Sequence, residues 1–241
     1  MSGHSKWHNI QARKGKQDAK RSNVFSKLSK AITVAASQGG GDSTTNFSLR
    51  LQLDKARVAG MPKDNIDRAI KKGTGVGADA TQLSEVLYEA YGPAGVAIIV
   101  RGLTDNKNRA SAEIKHLLSK NNGSLGAAGS VQWMFDLWGV IAIEKDKLNI
   151  DREEFDLKMI EAGADDIQDD EDEVLVLNKI ENFQKVLNVV KELNLEISRS
   201  GLEWVAKDKI TVDVENEEKL GRLFEALDEH DDVDDYFTNA A

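Results

Sequence analysis

The sign of the charge and the period of the apolar residues both change at one place in this chain, near Gly75. Up to that glycine there are fifteen lysines and arginines against five aspartates; beyond it there are seventeen against thirty-six acidic residues. The formal net charge of −9 over 241 residues therefore conceals a head of about +10 and a body of about −19. Before the break apolar residues recur at helical spacing, whereas after it strand-like and helical runs alternate. Gly73-Thr74-Gly75-Val76-Gly77 follows a helical pattern, so it reads as a linker; a dinucleotide-binding glycine loop would need a strand in front of it.

Residues 1–20 follow neither period, with Trp7 and Ile10 their sizeable apolar side chains, and are expected to form an arm. Trp7 among lysines either stacks on an unpaired base or pins the arm to the head. His4 and His8 stand four apart but lack a third ligand nearby, so no metal site is expected. Phe25, Leu28, Ile32 and Ala35 then mark a helix that stops at Gly39-Gly40-Gly41. The next stretch is ambiguous, because Phe47, Leu49, Leu51 and Leu53 alternate like a strand while Leu49, Leu53 and Ala56 fit a helix. Its leucine, lysine, arginine and alanine content favours a helix over 46–59. A third helix starts at Pro62, turns Ile66, Ala69 and Ile70 inward and ends at Gly73.

Such a basic bundle reads as a head for polyanions, since lysine and arginine gain affinity by displacing counterions condensed on phosphates. The expected nucleic-acid-binding residues are Lys6, Trp7, Arg13, Lys14, Lys16, Lys20, Arg21, Lys27, Lys30, Lys55, Arg57, Arg68, Lys71 and Lys72. No helix carries Asn, Gln and Arg in a base-contacting array, so base-specific readout is not expected. Charge alone does not separate DNA from ribosomal RNA as the target. The acidic body should be held off the nucleic acid and left for a protein partner.

Beyond the linker, 89–95 reads as a turn into a strand at 96–101, followed by a helix to about Lys120 and, after a glycine-spaced loop, a strand at 131–135. That order is completed at the far end by a strand at 210–214, a helix at 217–229 and a strand at 233–237. Between these halves lie strands at 140–143, 166–167, 174–177 and 195–205 with helices at 152–162 and 183–193. The expected fold is α+β and multidomain: a three-helix head over 1–75 and two ferredoxin-like α/β sandwiches, one over 76–137 plus 207–241, the other inserted at 138–206. Asn106, Asn108 and Arg109 form a second candidate site at a helix N-terminus, with helix capping as the alternative. The acidic runs at 165–173 and 228–235 read as solvated turns and element ends; the first lacks the glycine and spacing of a calcium loop.

Cysteine is absent, which removes disulfides, thiolate metal sites and a cysteine nucleophile. There is no Gly-x-Ser-x-Gly elbow, His-Glu-x-x-His or phosphate-cradling loop, so neither an enzyme nor a cofactor is expected. The apolar run at 96–100 is far short of the roughly 20 residues a membrane span needs, and a cytoplasmic protein is expected.

The motifs resemble the YebC/PmpR family along essentially the whole chain. They are Gly3-His4-Ser5-Lys6-Trp7, the Lys20 to Leu28 segment, Met61-Pro62-Lys63-Asp64-Asn65-Ile66 with Arg68-Ala69-Ile70-Lys71-Lys72-Gly73, Tyr91-Gly92-Pro93, Thr104-Asp105-Asn106 with Asn108-Arg109, and Gly129-Ser130-Val131. Glu89-Ala90-Tyr91 stands where the family often has Glu-Gly-Tyr. The resemblance implies a helical head and two α/β domains around a cleft. It also implies DNA-binding transcriptional regulation or, as for some bacterial and mitochondrial relatives, action at the ribosome on stretches such as consecutive prolines.

Overall fold

The computed structural model describes residues 17–75, 83–170 and 172–241. Three helices come first: α1 (Gln17–Gly39), α2 (Phe47–Val58) and α3 (Lys63–Gly73). α1 stops where Gly40 adopts φ +83°, a left-handed conformation that glycine takes without steric cost. Asn46 then ties the two helices together. Its Oδ1 accepts the Leu49 N–H and caps α2, while its Nδ2 donates to the carbonyls of Ala35 and Gly40 at 2.8 and 2.7 Å. α3 crosses α1 at Gly73, where a Cβ would stand 2.3 Å from the Thr33 carbonyl oxygen, so the backbone itself is the contact surface.

The strand-like alternation in α2 has a physical cause. Leu49 and Leu53 face the head's own core with Ile32, Ala35, Ala56, Met61 and Ala69, while Phe47 and Leu51 face the core under the second sheet. Two residues along a helix turn through about 200°, so a helix buried on opposite sides shows apolar residues with period two.

The body holds two antiparallel four-stranded sheets. In the first, β1 (Ser84–Tyr91) and β2 (Ala97–Thr104) form a hairpin, followed by α4 (Lys107–Lys120) and the short β3 (Ser124–Leu125). The second contains β4 (Phe135–Glu144), α5 (Arg152–Ala162), β5 (Asp166–Asp169), β6 (Glu173–Asn178), α6 (Phe183–Glu192) and β7 (Ile197–Ala206). The chain then forms α7 (Val214–Glu229) and returns to the first sheet as β8 (Val233–Thr238). The strand orders are β3-β1-β2-β8 and β5-β6-β4-β7. The second is the split βαβ order of a ferredoxin-like sandwich, and the first reaches the same spatial arrangement by another path, with its opening hairpin at the centre. Helices α4 and α7 cover the first sheet through Ile98, Val100, Ile114, Leu223 and Phe224, and Tyr236 stacks on Phe224 at 4.7 Å.

Three local expectations change. The stretch before Gly92 is strand rather than turn: Val86, Tyr88 and Ala90 face the helices and Glu85, Leu87 and Glu89 the other side. Residues 131–134 form no strand, because the Glu89 carboxylate takes the N–H groups of Val131 and Gln132 at 2.7 and 2.8 Å, together with that of Gly129, and removes them from any ladder. β4 instead starts at Phe135 and runs through 138 without a break. At 210–214 only a single bridge forms, Ile210 to Ala240, since Asp213 accepts the Asn216 N–H at 2.8 Å and starts α7.

The head is seated on both sheets. On one side Ala31 and Val34 of α1 meet Leu103 of β2. On the other, Phe47 packs edge-on against Phe183 at 5.5 Å, Leu51 enters the same core, and Lys191 reaches Asp54 at 3.5 Å.

Candidate nucleic-acid interface

α1 and α3 lie side by side and leave a groove of about 450 Å³ between them. Its α1 wall presents Ser22, Ser26 and Ser29, spaced i, i+4, i+7, with Lys30 beside them. Its α3 wall presents Asn65, Arg68 and Lys72, spaced i, i+3, i+7. The floor is apolar, with Phe25 and Ala69. α3 has this composition because Ile66, Ala69 and Ile70 claim its inner face, and Lys71 and Lys72 in the last turn suit the negative end of the helix dipole. Hydroxyl, amide, guanidinium and ammonium donors in two facing rows are what phosphate and sugar oxygens take up. Arg68 and Lys71 are exposed and Lys72 is half-buried; none of them forms an ion pair with another described residue.

The other expected cations are placed differently. Lys55 is exposed and its Nζ lies over Gly201 of β7, and Arg57, also exposed, pairs with Asp54 at 2.9 Å on its own helix. Lys27 and Lys30 face the body. Lys27 Nζ donates to the Asp228 carbonyl at 2.7 Å, and Lys30 Nζ to the Asp231 carbonyl at 2.9 Å and to Asp232 Oδ1 at 2.7 Å. Burial lowers the Lys27 ammonium pKa, and the charges of Asp228, Asp234, Asp235 and Asp231 offset this only in part. Lys20 and Arg21 belong to α1. Lys6, Trp7, Arg13, Lys14 and Lys16 lie outside the described residues, as do His4 and His8.

The acidic run at 228–235 is the helix end and strand entry that the sequence suggested, closing α7 and leading into β8, and it also serves as a docking strap for the head. Asp232 is its hub: side-chain exposure is 5 %, and its carboxylate takes Lys30, the Thr104 hydroxyl at 3.0 Å and Arg109 at 2.8 Å. Burial alone would raise this carboxyl's pKa; the bonds from Lys30, Arg109 and Thr104 outweigh burial and hold it below the usual range. Next to it, Arg101 pairs with Asp234 at 2.8 Å and sits over the Phe237 ring.

Of the second candidate site, Asn106 Oδ1 accepts the Arg109 N–H at 3.0 Å and caps α4, and Arg109 is held by Asp105 and Asp232. The Asn108 side chain makes no hydrogen bond to another described residue, and the residue is exposed. Of these residues Arg109 braces the strap through Asp232, and an anion at this helix end would have to displace Asn106. In the first acidic run, Asp169 pairs with Arg152 at 2.8 Å, and Asp165 accepts the Lys179 N–H at 2.9 Å. Sequence reasoning passed over Asp232 and the three serines. The serine spacing is visible in the chain, whereas the partners of Asp232 come from three separate elements.

Residues 5–76 match the family model described as the TACO1/YebC protein N-terminal domain, and residues 83–240 the one described as the TACO1/YebC second and third domain. A probable transcriptional regulatory protein of Thermoanaerobacter pseudethanolicus is 46 % identical over 239 residues, covering 99 % of this chain and 96 % of the relative. One from Bacillus licheniformis is 47 % identical over 239 residues, covering 99 % of each. The crystal structure of a conserved hypothetical protein from Aquifex aeolicus superposes with a TM-score of 0.84 at 36 % identity, over 95 % of this chain and 93 % of that one.

Proposed function

The chain belongs to the TACO1/YebC family, and on that premise we propose that it is a regulatory protein that grips a nucleic-acid backbone through its helical head. The observation that carries this reading is the α1–α3 groove, where Ser22, Ser26 and Ser29 face Asn65, Arg68 and Lys72. Duplex DNA in transcriptional regulation is the first target, in keeping with the names of its relatives as probable transcriptional regulatory proteins. The contacts are to phosphates, so register and orientation come from the backbone and not from base edges.

RNA at the ribosome is the second reading. It draws on the serine row and Asn65, whose donors and acceptors match a 2′-hydroxyl as readily as a phosphate. No catalytic step enters either reading. Among the described residues no helix is long and apolar enough to cross a membrane, which suits a protein working on nucleic acid.

The test uses point substitutions in the full chain, because deleting the head would strip Phe47 and Leu51 from the second sheet's core. Binding of labelled duplex DNA and of structured RNA would be measured by anisotropy at equal salt for the parent and for R68Q/K71Q/K72Q. Loss of affinity in the triple variant supports the head as binding element, and the tighter-binding probe identifies the target. Unchanged affinity for both probes rejects the reading.

A further inference from the structure

Lys30 occupies two places at once in the head's electrostatics. The residue lines the groove between α1 and α3, and its ammonium bonds to Asp232 and the Asp231 carbonyl. Asn23, Lys27 and Lys30 stand on one face of α1, and all three donate into residues 228–232. The apolar part of this contact is small, centred on Ala31, Val34 and Leu103, so polar bonds carry much of it. An anion that offers the same ammonium groups new charge-assisted bonds competes directly with contacts of that kind.

We propose that the 228–232 strap is an internal competitor for the polyanion: it holds Lys30 and Lys27 in the free protein and surrenders them when a phosphate enters the groove. The proposal rests on the reading of the α1–α3 groove as the backbone-binding site and names how that site is regulated. Release is inexpensive on the body's side. When Lys30 leaves, the Asp232 carboxylate keeps Arg109 at 2.8 Å and the Thr104 hydroxyl at 3.0 Å, so it is not stranded without partners. On the head's side a rotamer change carries the Lys30 ammonium from strap to groove, with no movement of α1. Lys27, desolvated where it sits, recovers hydration once the strap loosens. The strap thus sets a threshold, and weak anions fail to displace it while a phosphate backbone succeeds.

The experiment compares the parent with D232N, K30Q and D232N/K30Q for binding of a short labelled duplex across a salt series. D232N is expected to bind on the order of fivefold more tightly at low salt with a similar log–log salt slope, because Lys30 meets a phosphate in both complexes and in the variant no longer has to leave the Asp232 carboxylate first. K30Q is expected to cost more affinity in the D232N background than in the parent. Equal affinity of D232N and the parent, or no coupling between the two substitutions, overturns the competitor while leaving the groove reading standing. A parent that binds neither duplex nor RNA overturns both. If D232N fails to fold, the ¹H–¹⁵N signal of the Lys30 ammonium in the parent decides: a shift on saturation with duplex supports displacement, and an unmoved signal refutes it.

Discussion

The Lys30 ammonium and the Asp232 carboxylate meet at 2.7 Å although 202 residues separate them in sequence. Around that pair the polarity of the chain acquires its meaning, because part of the acidic body neutralises part of the basic head. On the proposed function, what remains for an external polyanion is the face of α3 and the groove it shares with α1.

Stability should show the imprint of Asp232 at low pH. Its folded-state pKa lies below the ordinary value of 3.8, so the stability it contributes is complete above that value and is lost as pH falls through the lower folded value. The melting temperature of the parent is expected to exceed that of D232N near neutrality, with the gap closing below about pH 4. A gap that stays constant through the acid range would contradict this assignment.

Glu89 offers a second, independent test. Burial would raise its pKa, but the N–H groups of Val131, Gly129, Gln132 and Ser130 hold it below the ordinary 4.5. E89Q replaces one acceptor oxygen with a donor facing those N–H groups, at an expected cost of about 1–3 kcal/mol in urea unfolding. Because Trp133 follows this loop and bonds to the Ser130 carbonyl, its emission should shift in the same variant. As with Asp232, the advantage of the parent over E89Q is present above pH 4.5 and fades as the pH drops through the depressed folded value.

Leu51 tests whether α2 joins the head to the second sheet. It is 7 % exposed and packs with Phe47, in the same core as Phe155, Phe183 and Val190. L51A is expected to cost about 2–4 kcal/mol of stability, through lost transfer energy and the cavity left behind. It should also raise proteolytic sensitivity of the head. A neutral substitution would mean that Leu51 does not help to hold the head on the second sheet.

The three head helices and the mixed α/β body were legible because their apolar periods are local: Ile66, Ala69 and Ile70 need only α3 to be read. Residues governed from a distance were not. Residues 131–134 look like a strand until Glu89, some forty residues earlier, takes their N–H groups. Likewise Ser84–Tyr91 reads poorly as a strand because Glu89, a charged residue, is the one buried against that loop. Lys27 and Lys30 look like their exposed neighbours in sequence, and only the chain's return through α7 to β8 assigns them to the strap. The groove was half legible: Arg68 and Lys72 stood out by charge, whereas Ser22, Ser26 and Ser29 resemble any polar helix face.

The most direct measurement is the salt dependence of duplex binding for the full-length parent and for R68Q/K72Q. In the parent, log affinity is expected to fall linearly with log salt. In the variant the slope should be shallower by about 1.8, or roughly 0.9 for each cation withdrawn from the backbone. Identical slopes for the two proteins would mean that no phosphate lies in the α1–α3 groove, and the account of the head would be contradicted.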